Sequence, residues 1–139
     1  MRAFLIAAML MLAACAQQPP RDDALYRDLG GREGIAQIVE GMLLNVAGDR
    51  RISAHFQKVD IVRLRVMLID YFSQETGGPQ DYTGDTLEES HKGMDLSPTD
   101  FNALVENLQA AMSVQGVPVR TQNQLLARLA PKRHEVIDK

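Results

Sequence analysis

Tyr82-Thr83-Gly84-Asp85-Thr86-Leu87-Glu88-Glu89-Ser90-His91-Lys92-Gly93-Met94 is the stretch that decides how the rest of the chain is read. It has the pattern of a very short helix shut between two glycines. Asp85 is placed to cap the N-terminus, and Glu88, three residues later, completes a capping-box pattern. Leu87, His91 and Met94 stand at i, i+4 and i+7, which puts all three on one face. The imidazole therefore sits on an apolar stripe and points inward. By composition alone, a lone histidine on such a face reads first as a core residue. Two features raise the reading of a metal ligand. The element is too short to be stable by itself, so its apolar face must close against something. The chain also offers Phe56, Leu64, Leu68, Phe72 and Phe101, large apolar side chains that can line a slot for a flat hydrophobic ligand.

Working outward, the flanking segments all read as helix. Downstream, Ser97-Pro98-Thr99-Asp100 is a start signal with an N-cap serine, proline at the first helical position and an acid in the first turn. Phe101, Leu104, Val105, Leu108, Ala111 and Met112 follow at helical spacing until Gly116-Val117-Pro118. A last helix, Arg120 to Val136, buries Leu125, Leu126 and Leu129 and is expected to kink at Pro131. Upstream, Asp60 caps a long helix with Ile61, Leu64, Leu68, Tyr71 and Phe72 on one face and Val66, Met67 and Ile69 widening the stripe. It stops at Gly77-Gly78-Pro79. A short helix over Arg50–Phe56 presents Ile52, His55 and Phe56. Before it, Ile35, Ile38, Val39, Met42, Leu43 and Val46 mark an amphipathic helix from Arg32 to Ala47. One or two turns over Ala24–Leu29 end at Gly30-Gly31. No segment alternates with period two, and the class is all-α.

The N-terminus lies outside this pattern. Met1-Arg2 is followed by an apolar run, Ala3 to Leu12, too short for a permanent span. Leu12-Ala13-Ala14-Cys15 resembles the lipobox of bacterial lipoproteins, where cleavage precedes a cysteine that then carries acyl chains. Residues 1–14 read as a signal peptide, residues 15–23 as the lipidated Cys15 with a polar tether, and residues 24–139 as the folded domain. Acyl chains hold a protein to a membrane, each buried CH₂ contributing roughly 0.8 kcal/mol. Ala16 and Gln17 lack the aspartate that favours inner-membrane retention, so the expected location is the outer membrane, facing the periplasm. An ordinary secretory signal with a chance cysteine is the alternative.

Composition closes several other routes. The 139 residues are 45% apolar and 24% charged, with a formal net charge of −3, and no arginine run survives that could neutralise several phosphates. Nucleic acid is not an expected partner. A single cysteine excludes an internal disulfide, and the C-x-x-C-H haem attachment motif is absent. Glu88 and Glu89 lie beside the histidine without the His-x-x-x-His spacing of a zinc hydrolase. A nucleophile elbow and a glycine-rich phosphate loop are missing as well.

Taken in order, Leu25-Tyr26-Arg27-Asp28-Leu29-Gly30-Gly31, Gly77-Gly78-Pro79, Tyr82-Thr83-Gly84, Ser90-His91-Lys92-Gly93 and Leu129-Ala130-Pro131 resemble the truncated haemoglobins of the first group. The resemblance runs from Leu25 to Val136. It implies a two-over-two helical sandwich around non-covalent haem b, with His91 as the proximal iron ligand and Phe56 packed on the haem face. Leu43, Leu64, Met67, Leu68 and Phe72 then fall among the pocket residues. It also implies reversible binding of oxygen, carbon monoxide or nitric oxide on the open face of the iron.

The chain departs from that family on the distal side. Many members carry a tyrosine where Leu43 stands and a glutamine where Leu68 stands, and both hydrogen-bond oxygen. The family often has a lysine in place of Met67, reaching a haem propionate. A donor aimed at bound oxygen contributes roughly 1–3 kcal/mol, so losing two speeds its release by tenfold or more. Arg63, Arg65 and Lys92 are placed to meet the propionates, while a charged helix surface explains them equally well. Met67 reads as a soft core filler before it reads as a sixth iron ligand, and His55 and His134 read as solvent-facing. Two other functions stand against the gas-binding one. One is haem redox or electron-transfer chemistry on nitric oxide or peroxide, which needs a reductase partner and an acid or base that the distal side lacks. The other is a haem-free helical surface lipoprotein.

Overall fold

The computed structural model describes residues 22–139, which form six α-helices and two short 3₁₀ turns. In chain order these are α1 (Ala24–Asp28), α2 (Gly31–Gly48), the 3₁₀ turn Ser53–Phe56, α3 (Ile61–Glu75), α4 (Leu87–His91), α5 (Pro98–Val114), α6 (Val119–Leu129) and the 3₁₀ turn Ala130–Glu135. No residue described is in a strand. The lipobox reading, with Cys15 and the signal peptide, falls outside the described residues.

Two start signals act as expected. The Asp60 carboxylate accepts from the Arg63 amide at 3.0 Å. Ser97 and Asp100 make a reciprocal capping box, with Pro98 in the first turn. At the short helix the cap is one residue later than expected. Thr86, not Asp85, accepts from the Glu89 amide, and Glu89, not Glu88, returns the bond to the Thr86 amide. Two further expectations are corrected. The helix predicted over Arg50–Phe56 is only a 3₁₀ turn from Ser53. The last helix does not kink at Pro131 but ends at Leu129 and continues as a 3₁₀ turn.

α2 is the spine. It packs along α5 and along α3, its two most extensive partners. Gly41 permits the first crossing, because a Cβ there would stand 3.2 Å from Ala111 Cβ. Arg32 pairs with Asp70 at 2.5 Å, and Glu40 pairs with Arg65. Ascending α2 positions thus meet descending α3 positions, and the two helices run antiparallel. A short turn folds α6 back on α5, where Gln122 Nε2 donates to the Val117 carbonyl at 2.9 Å. Ile35, Ile38, Val39, Met42, Val46, Ile69, Leu108, Met112 and Leu125 fill the centre, each at most 3% exposed. Truncating one such side chain to alanine costs roughly 2–5 kcal/mol.

The stripe predicted for α3 is broader than the buried one. Ile61 and Val66 are 43% and 42% exposed and precede Ile69, the first buried position of α3. The α3 face turned away from α2 carries Leu64, Met67, Leu68 and Tyr71 at i, i+3, i+4 and i+7, all half-buried. α4 rests on the 3₁₀ turn Ala130–Glu135, and α3 is not among its main packing partners. The slot expected for a flat ligand falls between these two helices.

Candidate functional site

The loop from Gly77 to Thr86 sets α4 against the open face of α3. Its anchor is Tyr82, whose amide donates to Gln74 Oε1 of α3 at 2.7 Å. The Tyr82 ring meets Tyr71 edge to face, with centroids 5.4 Å apart. Its hydroxyl donates to the Asp85 carbonyl at 2.8 Å, fixing the residue just ahead of the Thr86 cap. Burial pushes the phenols of Tyr71 and Tyr82 up, so both stay protonated across the ordinary pH range. For Tyr71 the nearby charges of Glu75 and Glu135 add to that effect. Gly84 allows the close approach, since a side chain there would run into the Met67 methyl and the Tyr82 hydroxyl. Met67 therefore reaches across the slot from α3 to the loop that precedes the histidine.

Within α4 only Leu87 and His91 are withdrawn from solvent, both half-buried, while Glu88, Glu89 and Ser90 are exposed. His91 Nδ1 lies 2.6 Å from the Leu87 carbonyl. A carbonyl can only accept, so Nδ1 carries a proton and, in the neutral ring, the lone pair is on Nε2. This bond also fixes the ring orientation, as a second shell does for metal-bound histidines. Met94 lies in the turn after the helix, half-buried, and its amide donates to the His91 carbonyl at 3.1 Å.

The sequence reading missed what holds the far end of α4. The amides of Gly93 and Asp95 both donate to the Lys139 main-chain oxygen, at 2.8 and 3.1 Å, and the Asp138 amide donates to the Leu96 carbonyl at 3.0 Å. The same tail reaches the other walls. Lys132 pairs with Glu75 of α3 at 3.3 Å, and Arg133 stacks over the Phe101 ring of α5 at 5.7 Å. The run Lys132-Arg133-His134 gave no local sign of this, because the partners are distant in sequence. His134 itself is exposed, with Nδ1 2.8 Å from the Pro131 carbonyl.

The other predicted side chains divide in three. Leu43, Phe56, Leu64, Met67 and Leu68 are half-buried, as are Phe101, Leu104 and Val105 of α5, and Phe72 is buried at 6%. His55 does not face the slot. It is half-buried rather than solvent-facing, with Nε2 3.6 Å from Asp100 Oδ1. Arg65 is likewise taken, held by Glu40 on α2, which leaves Arg63 and Lys92 as exposed cations on either side.

Residues 24–138 match the family described as bacterial-like globin. The chain belongs to that family. Among curated relatives, the group 1 truncated hemoglobin of Mycolicibacterium paratuberculosis is 28% identical over 113 residues, spanning 81% of this chain and 83% of the relative. The group 1 truncated hemoglobin of Nostoc commune is also 28% identical and is covered over 98% of its length. In three dimensions this globin superposes on the truncated hemoglobin of Tetrahymena pyriformis in its Fe(III) form with a TM-score of 0.81 at 29% identity, covering 83% and 98% of the two chains. The 2/2 hemoglobin of Synechococcus sp. PCC 7002, solved with covalently attached heme, shares the fold at 22% identity and a TM-score of 0.76. The globin is thus a group I, two-over-two member.

Family membership implies haem, and the residues present fit it. Among those described, no group of three or more His, Cys, Asp or Glu side chains stands together to hold a metal ion. A metal at His91 must therefore bring its other ligands with it, as a porphyrin does. Half-buried apolar side chains on α2, α3 and α5 suit the faces of such a macrocycle, and the Nδ1 bond to Leu87 orients the His91 ring.

Proposed function

We propose that this globin holds non-covalent haem b through His91 Nε2, with Leu43, Phe56, Leu64, Met67, Leu68 and Phe72 lining the pocket. The observation that carries the reading is the bond from His91 Nδ1 to the Leu87 carbonyl, which aims the free lone pair away from its own helix. The haem iron supplies one open position for oxygen, carbon monoxide or nitric oxide. The chain does the rest. Thr86 and Glu89 fix the start of α4, the tail fixes its end, and the loop around Tyr82 sets its distance from α3. On the opposite side Leu43, Leu64 and Leu68 exclude water but offer no hydrogen-bond donor, which favours fast oxygen exchange over storage. Arg63 and Lys92 are free to meet propionates at the edge. Sequence further supports attachment to the cell envelope through acylated Cys15, in the outer membrane facing the periplasm.

Haem-reconstituted protein is expected to show a Soret band that shifts with carbon monoxide and collapses in His91→Ala. A wild-type spectrum identical to that of free haem in buffer overturns the assignment.

A further inference from the structure

The first half of α3 and the chain leading into it carry an exposed surface of which the haem reading uses only Arg63. Val59, Ile61, Val62 and Val66 are 38%, 43%, 76% and 42% exposed. Val62 and Val66 are four apart and share one ridge, and Ile61 with Arg65 forms the ridge beside it. Charge is concentrated in the same place. Residues 50–66 hold five basic side chains (Arg50, Arg51, Lys58, Arg63, Arg65) against a single acid, Asp60, a net of +4 in a chain whose formal net charge is −3. Arg51 and Arg65 are held by Asp49, Glu106 and Glu40, whereas Arg50, Lys58 and Arg63 stand exposed. Branched apolar side chains among cations, on an otherwise acidic molecule, are what a helix lying on an anionic bilayer presents.

The chain outside the described residues points to the same occupant. Asp22, where the description begins, lies against Gly77 at the C-terminal end of α3. Six residues lie between Cys15 and Asp22, and even fully extended the seven steps between them reach only about 25 Å. The span from Gly77 back to Val62 along the helix is about 22 Å at 1.5 Å per residue. A lipid-anchored Cys15 can therefore hold the membrane surface beside α3 along its whole length.

We infer that the Val59–Val66 face of α3 rests on the anionic bilayer to which Cys15 tethers the domain. The inference rests on the lipoprotein reading for the tether, and not for the patch. Leu64 and Leu68 stand two positions on from Val62 and Val66, about 200° round the helix, so the face that rests on lipid is opposite the face that lines the slot.

The test uses full-length, envelope-purified protein in vesicles of phosphatidylethanolamine and phosphatidylglycerol, its acylation read by mass. Nitroxide labels are placed at Val62→Cys and, as a distant control, at Val114→Cys, which is 84% exposed. With haem in its reduced carbon monoxide form, the Val62 label is expected to be shielded from an aqueous nickel chelate and accessible to dioxygen, and the Val114 label the reverse. Equal aqueous access at both sites overturns the inference. So does concentration-dependent broadening between Val62 labels, which indicates a second copy of the chain on this face. If the mass shows no acyl chains, the tether reading fails alone, and the patch is then decided by unanchored protein. In the Cys15→Ser chain, Arg50→Glu with Lys58→Glu is expected to weaken binding to these vesicles about tenfold or more. No loss of binding overturns the patch.

Discussion

On the α4 side of the slot, nearly every polar group near His91 is engaged: Thr86 and Glu89 with each other, Nδ1 with Leu87, Gly93 and Asp95 with Lys139. On the α3 side, Leu64, Met67 and Leu68 have only shape to offer, and the nearest charged groups turn elsewhere, Arg65 to Glu40 and Asp70 to Arg32. Five residues of helix cannot hold a ligand in place by propensity, so the α4 side must be fixed by bonds. α3, three times as long and packed along α2, is rigid without them. On the proposed reading, the side that would hold the iron is polar and tied, and the side that would meet the gas is apolar and rigid.

The largest effect is expected where the tied side is untied. Deleting Val136–Lys139 removes the acceptor of Gly93 and Asp95 and should speed haem transfer to a scavenging apoglobin by about tenfold, two hydrogen bonds contributing roughly 0.5–1.5 kcal/mol each. An unchanged rate would show that α4 holds itself. Next comes a change that gives the apolar side what it lacks. Leu68→Gln, nearly the same size, should slow oxygen release by about tenfold while leaving carbon monoxide release within about threefold. Stopped-flow exchange of the two gases checks it.

Smaller effects follow at the cap. Thr86→Ala should cost about 1 kcal/mol of stability in urea unfolding. The acids of both capping boxes are held below the usual carboxylate range, Glu89 chiefly by the Thr86 hydroxyl and Asp100 chiefly by the Ser97 hydroxyl. Their folded values are depressed, so this stability is full above about pH 5 and lost as the pH falls through the folded values. Thr86→Ala should accordingly flatten the acid limb of the stability profile and leave the neutral plateau merely lowered. The smallest effect is expected at Tyr71, whose buried hydroxyl has no protein partner. Tyr71→Phe removes that orphan group and should leave thermal stability unchanged or slightly raised. A large drop would reveal a bond to the bound cofactor.

Local chemistry explains which of these features could be read from the chain. Asp60 and Ser97-Pro98-Asp100 announce their helices because cap and partner lie three residues apart. The cap of α4 was misplaced by one position because Asp85/Glu88 and Thr86/Glu89 satisfy the same pattern. Only the Tyr82 bond to the Asp85 carbonyl and the His91 bond to Leu87 separate the two registers. The less exposed face of α4 was legible because it follows from the local spacing of Leu87, His91 and Met94, all half-buried. Glu40 with Arg65 and the tail with Gly93 were not, because their partners are 25 and 46 positions apart. The exposed Ile61 and Val66 misled for a related reason, since helical spacing cannot say where a neighbouring helix stops covering it.

The bond between Gly93 and Lys139 also sets an order in time. α2, α3 and α5 all precede the tail, so a chain emerging from its N-terminus can assemble its spine long before α4 is fastened. Contacts between distant segments form late because their closure entropy must be met first. Capture of haem through His91, on the proposed reading, then falls late in folding. If the chain is exported before it folds, as the proposed anchoring at Cys15 requires, haem would have to be supplied on the far side of the membrane.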